Sequence, residues 1–235
     1  MNRVYFRQLL AGRDFAVGDA MATAMVNFVY AMGDRETGEA VLVDPAYRPG
    51  ELVAALAEDG MTLVGAIGTH YHFDHVGGDY GDHHVDGIVE LLEIADVPIR
   101  VQRDEVEWVA KRTGVGVGSL VAHEPGDTLA VGALSLTMIH TPGHTPGSQC
   151  LLFEGRLVSG DTLFLDGCGR TDLPGSDPLE MYRTLTQRLA GVSDETVLYP
   201  GHFYSPEADA PMGQVRASNR VLAPASADEW LARYS

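Results

Sequence analysis

The chain has 235 residues, 45% of them hydrophobic and 21% charged, with a formal net charge of -17. This is an ordinary globular composition, long enough to bury a large core. The acidity, without any basic run, excludes a nucleic-acid backbone as partner, because phosphate binding needs clustered Lys and Arg.

The amino-terminal stretch lacks the apolar run of a signal peptide, and no segment approaches the ~20 apolar residues of a membrane span, so a cytoplasmic protein without membrane contact is expected. Cys150 and Cys168, the only cysteines, give no disulfide framework and fit a reducing compartment.

Residues 3–9 alternate loosely and predict an edge strand, and 18–22 read as a polar, small-residue connector. The runs 24–30 and 40–43 read as strands joined by the turn residues Gly33 to Gly38. The second run stops at Asp44-Pro45, placing a carboxylate at the carboxyl end of a strand, where sheets commonly deliver functional groups. A helix is expected over 49–58, with Leu52 and Leu56 on its apolar face and Gly60 ending it, then a strand over 63–68.

Beyond Gly78 an acidic, Gly-rich stretch leads to a helix at 88–94, a short strand at 97–101 and a charged helix at 103–112. The run 113–118 reads as a flexible connector between two halves. Short strands follow at 128–131, 135–139, 149–153, 156–158 and 196–199. A helix at 179–189 is started by Asp177 and Pro178, and a closing helix at 227–233 by Ser226 and Glu229 at capping-box spacing. Two strand-rich halves, each closed by helix, predict an α/β protein of two sheets packed face to face with helices outside.

The stretch Thr69-His70-Tyr71-His72-Phe73-Asp74-His75 leaves the strand at 63–68 and exits through Gly77-Gly78. Nothing structural demands so many metal-competent groups together, and neutral imidazole with carboxylate suits zinc, iron or manganese. Alternation at 70, 72 and 74 sends groups to one side of an extended segment while His75 turns away, so one loop can serve two metals. Ligand-type residues also follow a glycine at Gly143-His144, Gly160-Asp161 and Gly201-His202, where glycine lets the chain turn sharply. Of the other histidines, His83 and His84 read as solvated, and His123 and His140 as structural or exposed. Trp108 and Trp230 read as core residues on helices.

This ordered set of motifs, spread from Asp44 to Tyr204, resembles the metallo-β-lactamase-fold superfamily, and within it the glyoxalase II and persulfide dioxygenase branch. The resemblance implies an αββα sandwich, here a single domain over 1–235 with a lid insertion at about 79–120. It implies two divalent metal ions, zinc first, with iron or manganese as alternatives. His70, His72 and His144 would hold one ion, Asp74, His75 and His202 the other, and Asp161 would bridge them. Asp44 would support the histidine loop from behind. Gly167-Cys168-Gly169-Arg170 resembles the segment that meets a glutathione-type substrate, with Arg170 as carboxylate anchor, and Tyr204 matches a tyrosine of the same subsite. Cys168 otherwise reads as a packing residue, and Arg170 as the partner of Asp172 or Asp166.

The implied activity is hydrolysis of a thioester by a water shared between the two ions, as in hydroxyacylglutathione hydrolases, with Asp74 and Asp161 as catalytic carboxylates. The alternative is a persulfide dioxygenase with one iron on His70, His144 and Asp161; lactone or other ester hydrolysis is a further one. The partner is then a small acyl-thiol or persulfide, and a homodimer is compatible with either reading.

Overall fold

The computed structural model describes residues 3–234. Its first half contains β1 (Val4–Leu10), α1 (Ala20–Met25), β2 (Phe28–Asp34), β3 (Glu39–Val43), α2 (Pro49–Glu58) and β4 (Thr62–Ile67). A one-turn helix α3 (Phe73–Val76), the hairpin β5 (Gly78–Tyr80) and β6 (His83–Val85), α4 (Ile88–Ile94), β7 (Ile99–Gln102), α5 (Val106–Thr113) and β8 (Leu120–His123) follow. Then come β9 (Thr128–Val131), β10 (Leu134–His140), β11 (Gln149–Phe153), β12 (Arg156–Gly160), α6 (Pro178–Arg183) and β13 (Val197–Pro200). β14 (Ala210–Pro211), α7 (Met212–Ser218) and α8 (Ala227–Tyr234) complete the chain.

Strands β1-β2-β3-β4-β7-β8 form one six-stranded sheet and β14-β13-β12-β11-β10-β9 a second. The two sheets bury each other's inner faces. Phe28, Tyr30, Met32, Val41, Val43 and Ile67 of the first meet Val131, Leu136, Met138, Leu151, Phe153 and Val158 of the second. On the outer face of the first sheet, Leu9, Leu42 and Ala66 pack against Leu52 and Leu56 of α2, Leu91 of α4 and Val109 of α5. On the second, Cys150, Leu157 and Leu198 pack against Met181 of α6, Val215 of α7 and Trp230 of α8. This is an αββα sandwich, and each fully buried large apolar side chain contributes about 1.5–3 kcal/mol relative to exposure.

All seven residues of β2 are buried, because this strand lies inside its sheet with both faces covered. β1 at the edge of the sheet is only partly buried. Helices α2 and α4 match the sequence expectation to the residue.

Several expectations are corrected. Residues 18–22 are not simply a connector, and 24–25 are not strand. Asp19 accepts hydrogen bonds from the amides of Met21 and Ala22 and so caps α1, which ends at Val26 in the left-handed region at φ 50. The strand therefore begins at Phe28.

The change of sheet does not fall at 113–118. β8 still pairs parallel to β7, so the boundary lies between His123 and Thr128. The stretch 79–120, expected as a lid, is divided, since β7 and the start of β8 lie in the first sheet while the β5-β6 hairpin pairs only with itself.

The helix expected over 179–189 is α-helical to Arg183 and then a π-helical turn over Thr184–Arg188. At α8 the amide of Glu229 donates to Ser226 Oγ (3.2 Å), but the Glu229 carboxylate takes the amide of Ala225 rather than closing the box. Helix α7, which no periodicity announced, packs on the outer face of the second sheet. Among the described residues no helix is long and apolar enough to cross a membrane.

Candidate metal centre

The centre lies where strands of both sheets end side by side. β3 and β4 run parallel, as do β12 and β13. Each parallel pair delivers its two following loops to the same edge, so Asp44 meets the 69–75 loop and Asp161 meets His202. His144 arrives from the loop after β10.

Asp44 is buried at φ 55. One carboxylate oxygen accepts the Thr69 amide (2.6 Å), and the other takes the Thr69 hydroxyl (2.7 Å) and His75 Nδ1 (2.9 Å). The Thr69 hydroxyl spends its single proton on Asp44, so it accepts from His70 Nδ1 at 3.0 Å. His144 Nδ1 donates to the carbonyl of Arg170 (2.7 Å) and His202 Nδ1 to that of Met25 (2.7 Å). Four imidazoles are thereby oriented with Nε2 facing inward, the arrangement that fixes a ligand's tautomer.

The inward atoms crowd together. His70 Nε2 and His144 Nε2 each lie 3.0 Å from His72 Nδ1. One proton on His72 can satisfy only one of those lone pairs. Atoms bound tetrahedrally at 2.0–2.1 Å from one cation are about 3.3 Å apart, close to the spacing found. The second group is Asp74, His75 and His202, whose ligand atoms also lie within 4.8 Å of one another. Its Nε2 atoms are 3.3 Å apart, and Asp74 Oδ2 is held by the Asn27 amide at 3.1 Å, itself fixed by Tyr47.

Asp161 stands between the groups. Its Oδ2 is 3.7 Å from His144 Nε2 and 3.3 Å from His202 Nε2, and its Oδ1 is 3.4 Å from His75 Nε2. That Oδ1 is buried without a hydrogen-bond partner. Converging lone pairs and an unpartnered carboxylate oxygen are what a cation satisfies, so these donors fit divalent metal.

The two groups differ in charge. Burial, with neighbouring imidazoles, holds His70 well below its ordinary value, and burial with His144 pushes His72 down to about 3. Burial also lowers His144. In the second group burial opposes charge, but Asp161, Asp74 and Asp44 outweigh it and raise His75 to about 10; Asp161 likewise raises His202. Asp161 is desolvated, yet His202 and His75 hold it well below the usual carboxylate range. The first group is thus ready for a cation, whereas the second must release protons to take one.

The centre opens onto a cavity of about 610 Å³ whose walls include Tyr71, Phe73, Tyr80, Arg112, Phe164, Cys168, Arg170 and Tyr204. Tyr204 is half exposed and stacks on His202 (4.6 Å between ring centres, 4° between planes). Burial pushes the Cys168 thiol up to about 12, so it is neutral at physiological pH and no nucleophile. Arg170 grips Asp172 with Nε and Nη2 at 2.9 and 2.8 Å, and both side chains are more than 60% exposed (68% and 61%).

His84 is exposed between Asp79 and Glu90, and His140 Nε2 bonds the carbonyl of Pro146. His123 is buried with neither ring nitrogen partnered. Trp230 is fully buried, while Trp108 is half-buried and stacks on Tyr71.

Sequence reasoning missed several residues. Buried Glu105 accepts the amides of Tyr71 (2.7 Å) and Gly147 (2.6 Å), tying the 69–75 loop to the loop carrying His144. Burial raises its carboxyl to about 7. Nothing in the charged run 103–112 marks it. Asn27 had a signal, since it is an amide inside an apolar run. Asn219 holds the 164–167 turn through Phe164 O and Gly167 N and O.

Residues 23–202 match the model of the Metallo-beta-lactamase superfamily. The chain is 32% identical over 195 residues to a hydroxyacylglutathione hydrolase of Synechococcus sp., covering 80% of this chain and 68% of that one. It is 31% identical over 182 residues to the mitochondrial persulfide dioxygenase ETHE1 of Homo sapiens, covering 75% and 64%. Among solved structures, ETHE1 from Myxococcus xanthus superposes with a TM-score of 0.79 at 28% identity, over 97% of this chain and 88% of that one.

Proposed function

The chain belongs to the metallo-beta-lactamase superfamily, and on that premise we propose that this enzyme hydrolyses the thioester of a small acyl-thiol with two zinc ions. His70, His72 and His144 would hold one ion and Asp74, His75 and His202 the other, with Asp161 facing both groups. The observation that carries this reading is the second group: Asp74, His75 and His202 are assembled and backed by Asp44 and Asn27.

Ions bound there would supply a water acidified toward neutral pH and a polarised substrate carbonyl. The remaining work is the chain's own. The cavity wall holds the acyl-thiol, with Tyr204 and Cys168 as contacts and its apolar side chains limiting water. Asp74, fixed by Asn27, orients the attacking water and takes its proton. The water oxygen joins the acyl carbon, the C–S bond breaks, and the proton passes to the leaving thiolate.

A second reading is favoured by the likeness to ETHE1 over 97% of the chain. In it His70, His144 and Asp161, a two-histidine, one-carboxylate set, would hold one iron, and the substrate would be a persulfide. Two assays separate the readings. Zinc-loaded protein is expected to release free thiol from acyl-thiols without oxygen uptake, and anaerobically iron-loaded protein given glutathione persulfide is expected to consume no oxygen. Oxygen uptake, with no acyl-thiol cleaved by protein carrying two ions, would replace the hydrolase by the dioxygenase.

A further inference from the structure

We propose that Arg112 is the anion-binding residue of the cavity and selects substrates whose thiol part carries a carboxylate. The inference rests on the reading above only in taking a thiol compound as ligand. The thiol part is common to an acyl-thiol and a persulfide, so the anchor serves either chemistry.

Arg112 lies near the end of α5 and lines the cavity together with His72 and Asp74. Its position is built by three contacts. Nη1 donates to the carbonyl of Asp79 at 3.0 Å. Its guanidinium sits over the ring of Tyr71, 5.8 Å from the centre. Tyr71 is itself clamped, stacked on Trp108 at 4.9 Å and donating its hydroxyl to Pro174 O at 2.8 Å. The third contact is Gly78, where a Cβ would lie 2.6 Å from Arg112 O and 3.2 Å from Arg112 Cδ. Only glycine lets the chain leaving the metal loop lie so close to this arginine, and its φ of +112 suits no other residue.

So placed, the guanidinium lacks what arginines usually have. Among the described residues no carboxylate pairs with it, and its Nε is buried without a hydrogen-bond partner. A buried N–H without an acceptor is unfavourable, and the edge formed by Nε and Nη2 is the one a carboxylate takes with two parallel bonds. Nε is covered by protein atoms, so a carboxylate reaches both groups only if the guanidinium turns about its bond to Asp79. Arg170, the other arginine of the cavity, has the same edge occupied by Asp172. An anion entering a chain of net charge -17 past Asp74, Asp161 and Asp166 meets in Arg112 a guanidinium that no carboxylate of the described residues occupies.

The test compares glutathione with its diethyl ester, the same thiol with its carboxylates masked, by calorimetric titration of the metal-loaded protein. Wild type is expected to prefer glutathione, and Arg112→Gln to lower the ratio of the two affinities by about tenfold or more, with part of it recovered in Arg112→Lys. Thermal melting of each variant is recorded alongside. An unchanged ratio, whether both affinities fall together or neither does, overturns the anchor, and an unchanged ratio with a lower Tm makes Arg112 a structural residue. Binding needs no turnover. If no acyl-thiol is cleaved, the hydrolase reading fails while the anchor is still decided by the titration.

Discussion

Asp161→Asn is expected to lower kcat/KM by about a thousandfold at saturating metal, equivalent to about 4 kcal/mol in the barrier, with the circular dichroism spectrum unchanged. The side chain keeps its shape, but the amide removes the negative charge that faces His75, His144 and His202. It also turns one acceptor oxygen into a donor, which no cation can use. A spectroscopic sign accompanies the loss. Asp161 heads the carboxylates that hold His75 at about 10 in the metal-free protein, so the NMR titration of His75 moves downward in the variant. Full turnover by Asp161→Asn would remove this residue from the centre.

Gly169→Ala is expected to cost at least about a hundredfold in activity, a displacement of the kind that misplaces reacting groups by about 1 Å. A Cβ on Gly169 would lie 2.1 Å from the carbonyl oxygen of Asp161 and 2.8 Å from the His144 ring. Neither neighbour can yield, because the first is backbone and the second is pinned through Nδ1 to Arg170 O. Both groups belong to the metal centre, so metal affinity measured by competition with a chelator falls with activity. Gly167→Ala is the control. Its φ of +91 is strained for alanine, but nothing lies within 4 Å of the added carbon, so a loss of about 1 kcal/mol in stability is expected without a loss of metal. Equal metal affinity in the two variants would contradict the packing described.

The candidate centre was legible in sequence where its residues are neighbours in the chain. His70, His72, Asp74 and His75 sit on one loop, and the glycine before each of His144, Asp161 and His202 marked a sharp turn. Elements bounded by strong local signals were also legible, as with Pro49 opening α2. What escaped depends on distant pairing. β8 belongs to the first sheet because it pairs with β7 across the helix between them, which the glycines at 114, 116 and 118 hid. Helix α1 escaped because residues 18–22 read as a small, polar connector and 24–25 as strand, rather than as helix behind the Asp19 cap. Arg112 and Glu105 act through contacts with Tyr71, and no local pattern encodes a contact 34 or more positions away.

The central claim is that this chain carries two cations side by side. The direct measurement is the titration of metal-free protein with zinc in calorimetry, with bound metal counted by mass spectrometry and repeated at several pH values. Two ions per chain are expected. The first enters neutral His70, His72 and His144, so its affinity depends weakly on pH near neutrality. The second must displace protons from His75 and His202, which their carboxylate neighbours hold above the ordinary histidine value. Its affinity therefore rises with pH toward about 10, the value of His75, and protons are released as it binds. One ion per chain at every pH, or a second ion bound without proton release, would contradict the account.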